Sequence, residues 1–147
     1  MKIVTRIRQL LSAKDGTVRL EGEGIAEPIE SPSEDVLRRE IGRLRTTGPS
    51  HLALIASDGS YMQAAGNAKR MTVERHFVGA EGERHVVLGR QGPPGSTVTI
   101  ASTAGALEVR AAEVWAAPEA VELFCDFAET DSVAPHVSCR DIAVDSE

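Results

Sequence analysis

A chain of 147 residues fits one ordinary domain and is long enough to bury a core without disulfide or metal staples. With 41% hydrophobic and 26% charged residues the composition is globular, and aromatics at 3% argue against a stacking platform for single-stranded nucleic acid. The net charge of −6 is lodged at one end: residues 113–147 carry nine acids against the single base Arg140, which argues against that region meeting a phosphate backbone.

Residues 2–12 read two ways. Ile3, Val4, Ile7, Leu10 and Leu11 have helical spacing, whereas Ile3, Val4, Thr5 and Ile7 have strand character. Arg6, Arg8 and Gln9 interrupt the apolar run that a signal peptide needs, and no stretch approaches the roughly 18 apolar residues of a membrane span, so a cytoplasmic location is expected. Asp15-Gly16 predicts a turn into a strand over 17–21, closing a hairpin with the segment before it.

Ser31-Pro32-Ser33-Glu34 has capping-box spacing, with Ser31 as the cap and Glu34 reaching back. Leu37, Ile41 and Leu44 then form one apolar stripe, and Gly48-Pro49 ends it, which predicts a first helix over 32–46. Arg38, Arg39, Arg43 and Arg45 interleave with Glu34, Asp35 and Glu40, so pairs such as Glu34–Arg38 and Asp35–Arg39 make this a solvated helix face.

A hairpin follows, with 51–56 and 61–64 joined by Ser57-Asp58-Gly59-Ser60. Alternation predicts a further strand over 71–78, and a turn at 79–83 leads to another over 84–89. Gln91-Gly92-Pro93-Pro94-Gly95 is a loop, and two more strands are expected at 96–101 and 106–115. Pro118 opens a second helix over 118–129, with Ala120, Phe124, Phe127 and Ala128 on its apolar face. The tail shows no strong pattern. The expected fold is a single α+β domain: an antiparallel sheet of about five to seven strands with two main helices packed on one face.

The chemistry-bearing residues are few. Among His51, His76, His85 and His136 none has helical metal spacing to another, and no HExxH or CxxC motif occurs, so no metal or cofactor is expected. His76 and His85 would face each other if strands 71–78 and 84–89 pair. Cys125 and Cys139 are too few for a disulfide framework; reduced thiols are expected, with a bond between them as the alternative. Cys139 lies near His136 and Asp141, but a Cys–His dyad normally draws its partners from distant segments. Gly22-Glu23-Gly24 lacks the third glycine of a dinucleotide fingerprint, and the 91–95 loop lacks the lysine of a P-loop.

The sharpest feature is on the second helix. Glu119, Glu122, Asp126 and Glu129 are spaced to form one acidic stripe opposite the apolar face. Such like charges cost a few tenths of a kcal/mol per pair; the stripe reads as an ordinary solvated face or, more sharply, as a site for docking to a basic protein surface.

Asp58-Gly59-Ser60-Tyr61-Met62-Gln63-Ala64-Ala65-Gly66, followed by Thr72-Val73-Glu74-Arg75, resembles a D-G-x-F/Y-I/M-Q-x-A-G…V-E-x-R pattern of small bacterial proteins. Ala120-Val121-Glu122-Leu123-Phe124-Cys125-Asp126-Phe127 and Val137-Ser138-Cys139-Arg140-Asp141-Ile142 resemble the close of the same domain, although Cys139 stands where that pattern has tryptophan. The arrangement is similar to immunity proteins found beside nuclease and deaminase toxins. The resemblance implies inhibition by binding, without catalytic residues, of a toxin that offers a basic cleft. On that expectation Glu119, Glu122, Asp126 and Glu129 contact the partner, with Asp141 as a fifth, and no nucleic acid or membrane is involved. Two rivals are a small enzyme using His76, His85 and Glu74, and a subunit that forms a homodimer through a sheet edge.

Overall fold

The structure, a computed structural model, describes residues 17–130 and 132–142. The ambiguous segment 2–12 and the turn at Asp15-Gly16 lie outside them. In chain order the elements are β1 (Val18–Gly22), β2 (Ile29–Glu30), α1 (Glu34–Gly42), β3 (His51–Ala56), β4 (Tyr61–Asn67), β5 (Arg70–Gly79) and β6 (Gly82–Arg90). They continue with β7 (Thr97–Ser102), β8 (Gly105–Arg110), a short 3-10 turn (Ala111–Glu113), α2 (Ala117–Glu129) and β9 (Val137–Asp141). Seven strands form one antiparallel sheet in the order β2-β1-β3-β4-β5-β6-β9, and β7 and β8 pair separately.

The period-two pattern of each strand decides what the sheet carries. In the register Met62↔Arg75↔Val86 side chains point toward the helices, and in the adjacent register Tyr61↔His76↔His85 they point away. The helix-facing core joins Leu20, Leu52, Leu54, Met62, Val73, Val86 and Leu88 to Leu37 and Ile41 of α1 and Phe124 and Phe127 of α2. The α+β class and the two helices on one face are as expected. No helix among the described residues is long and apolar enough to cross a membrane.

Three local expectations are corrected. The cap of α1 is Ser33, whose Oγ accepts the Val36 amide at 3.2 Å. Ser31 cannot cap, because its own amide donates to Val18 O at 2.8 Å beside the short β2 pairing, which holds it one turn away. The helix ends at Gly42, so Leu44 completes the apolar stripe from a turn. Arg38 does pair with Glu34, but Arg39 and Arg43 both pair with the buried Glu40 rather than Arg39 with Asp35.

The pair expected at 96–101 and 106–115 does not extend the main sheet. The β7–β8 hairpin lies across its second face, where Ile100 and Val109 pack with Val87 in a smaller core. Gly66 makes that approach possible: a Cβ there would meet Arg70 O at 2.5 Å and Ile100 Cγ2 at 2.9 Å. The predicted strand 106–115 ends at Arg110, since the chain must turn to bring Trp115 onto Met71, whose backbone it bonds in both directions. Finally, the unpatterned tail supplies β9, paired with β6 along the sheet edge.

Candidate functional site

The acidic helix borders a cleft. Pro118 occupies the first turn of α2, and the Glu119 carboxylate accepts the Ala116 amide at 3.0 Å, satisfying one of the free donors of the helix start. With that start fixed, Ala120, Phe124 and Phe127 turn into the core, and the opposite side of the helix meets the end of β6 and the His136 loop. Between them is a cleft of about 580 Å³, lined by the buried Trp115 and Leu123 and by Glu119, Glu122 and Asp126.

The one guanidinium among the described cleft residues is already committed. Arg90 lies over the Trp115 ring, 4.4 Å from its centroid, and Trp115 Nε1 donates to Leu88 O at 2.9 Å. Arg90 donates to Val114 O and to both Glu119 oxygens, each at 2.7 Å. Burial pushes the Glu119 carboxyl up, but the Ala116 amide and Arg90 outweigh it and hold it below the ordinary carboxylate value. Arg90 thereby offsets Glu119, and the exposed Glu122 stands beside it at the opening. Among the described residues no hydroxyl, thiol or amine nucleophile lines the cleft.

The acids expected on one surface therefore separate into three groups. Glu119, Glu122 and Asp126 share the cleft, with Glu122 exposed and Asp126 half-buried. Glu129 is a correction: it is buried at 9% exposure, because the last turn of α2 sinks toward the core, and it does not continue the outward stripe. Asp141 lies on edge strand β9, where both its oxygens accept from Arg84, and it does not line the cleft. Sequence reasoning missed Trp115, Arg90 and His136 as cleft residues. Trp115 was assigned to a strand, and only tertiary structure carries Arg90 from β6 to the helix.

On the far face of the sheet, His76 and His85 do face each other, as the pairing of their strands implies. Their Nδ1 atoms are 3.1 Å apart, His76 Nε2 is 2.8 Å from Glu83, and His85 Nε2 is 2.7 Å from Glu74. Glu74 also accepts from Gln63 Nε2 at 2.9 Å, and Tyr61 stacks on His76 at 4.9 Å between centroids. Burial, with Glu74 and Glu83 adding to it, raises the Tyr61 phenol. Every ring nitrogen of the pair is engaged, and no cluster of three or more His, Cys, Asp or Glu among the described residues has the geometry to hold a metal.

Two smaller features lie elsewhere. A cleft of about 400 Å³ lies between the β7–β8 hairpin and the sheet, lined mainly by small residues such as Ala53, Ala65 and Gly105. Its carboxylate, Glu21, is paired with Arg19. Cys125 is buried and Cys139 half-buried, both as free thiols. Burial raises the Cys139 thiol, and its place in β9 opposite Leu88 separates it from the exposed loop that carries His136. Comparison with known proteins finds no family model, no curated protein and no solved structure that matches this chain.

Proposed function

We propose that this chain is a non-catalytic binding domain that takes a basic segment of a protein partner into the α2 cleft. The observation that carries this reading is the union of charge and shape at one place. Glu119, Glu122 and Asp126 line one cleft with Trp115 and Leu123, and the one guanidinium among its described lining residues is bound to Glu119. A lysine or arginine from a partner would enter beside the Arg90 guanidinium and set its charge against the exposed Glu122. The cleft size suits an inserted side chain or short loop rather than a flat surface contact.

The resemblance to immunity proteins supplies a partner of this chemistry, a toxin with a basic surface. Such a toxin is neutralised by occupation, which needs no reacting group in the cleft. Co-expression with the product of the adjacent gene tests the reading through growth rescue and co-purification. Rescue with a stable complex that E122K weakens is the expected result. The absence of both toxicity and a complex would remove the immunity reading, and a complex indifferent to E122K would remove the cleft.

A further inference from the structure

We propose that the chain Glu83–His76–His85–Glu74 holds one extra proton, so that one of its two histidines is an imidazolium in the native state. The hydrogens between these groups can be counted. Three contacts link the four groups, at 2.8, 3.1 and 2.7 Å, and in each both facing atoms carry lone pairs. Each contact of that length needs one hydrogen between its atoms. Two carboxylates and two neutral imidazoles bring only two such hydrogens, one per ring. The third comes from solvent, which sets the net charge of the four groups at minus one instead of minus two.

The surroundings place that proton. Glu74 accepts from Gln63 as well as facing His85, which marks it as an acceptor and His85 Nε2 as a donor. Tyr61 stacks on His76 with an interplanar angle of 10°, and a ring face favours a cation. The groups facing the pair are Tyr61 from β4, Glu74 from β5 and Glu83 from β6, with Arg140 of β9 acting electrostatically on Glu74. His76 is therefore the imidazolium, donating through Nδ1 to the bare Nδ1 of His85.

A second hydrogen cannot sit between the rings. Two protonated Nδ1 atoms would meet donor against donor in a contact buried to 9% and 8% exposure.

Long-range nitrogen–proton NMR of the imidazoles at neutral pH reads the count directly. One imidazolium and one neutral ring protonated at Nε2 is the expected result; two neutral rings or two imidazoliums would overturn the proposal. The variant H85Q keeps the position polar but lets its amide present either a donor or an acceptor to His76. There His76 is expected to be neutral at the same pH. An imidazolium that persists in H85Q would overturn the sharing and assign the charge to Glu83 and Tyr61 alone.

Discussion

At the scale of single residues, the polar groups that this fold buries are of two kinds. Arg75 is 3% exposed on the helix-facing side of β5, yet its guanidinium lies over the Phe77 and Phe127 rings at 4.6 and 5.0 Å and donates to Ser132 O at 3.3 Å. Thr72 is 1% exposed, and its hydroxyl finds no hydrogen-bond partner among the described residues. A buried hydroxyl without a partner carries a desolvation cost and no return, and valine has nearly the same shape with higher strand preference. T72V is expected to stabilise the protein by about 1 kcal/mol, read as a shift in the urea midpoint at unchanged slope. A loss of stability would show that the hydroxyl has a partner after all. The alternation in 71–78 made the two faces of this strand legible, but it could not say that Arg75 belongs inside. A charge on the apolar face is intelligible only once the rings of Phe77 and Phe127 are known to surround it.

At the scale of elements, the second layer hangs on a few close approaches. Gly66 admits the hairpin, and Gly89 admits the 3-10 turn, where a Cβ would meet Glu113 Cγ and Ser138 Oγ at 3.0 Å. G66A is expected to cost at least about 2 kcal/mol, because the clash is with backbone and the local φ is positive; thermal unfolding would show it. An unchanged melting temperature would mean that the hairpin does not sit on β4 as described.

Edge strand β9 is tied to the same layer by Arg140, whose guanidinium donates to both oxygens of the buried Glu113 at 2.7 and 2.8 Å. Burial raises the Glu113 carboxyl, but Arg140 and the Arg110 amide prevail and leave it below its ordinary value. A carboxyl lowered on folding contributes stability that is full above its unfolded value and is lost as pH falls through the folded one. Glu119 and Asp141 shift in the same direction. E113Q is therefore expected to lose about 2 kcal/mol at neutral pH, with the gap to the parent protein narrowing as the solution is acidified through the carboxylate range. A gap that stayed constant in acid would contradict the ion pair as its source. Nothing in the tail sequence announced β9: its stabilising partner lies 27 residues away at Glu113, and no apolar alternation marks it. The two hairpins of the central sheet were legible because turn residues and alternation are local. The layer that β7 and β8 join is set by Ile100 and Val109 meeting Val87, a nonlocal choice.

At the scale of the whole molecule, the sheet separates two chemistries. One side carries α2 with its acidic cleft, and the other carries the carboxylate-flanked histidine pair. The acidic C-terminal quarter was visible in the composition, and the stripe on α2 in the spacing of Glu119, Glu122 and Asp126. Its conversion into a cleft was not, since that depends on Arg90, Trp115 and His136 arriving from other elements. Glu122 and Asp126 are the positions where a charge reversal spares the start of α2, because Glu119 and not they accepts the Ala116 amide. The most direct test is the affinity of the E122K/D126K variant for the product of the adjacent gene, measured by calorimetry beside the parent protein at low and at physiological salt. Binding through the cleft predicts a loss of about tenfold or more for the variant and a weaker salt dependence than the parent shows. Equal affinities with equal salt dependence, in a variant that still folds, would contradict the account.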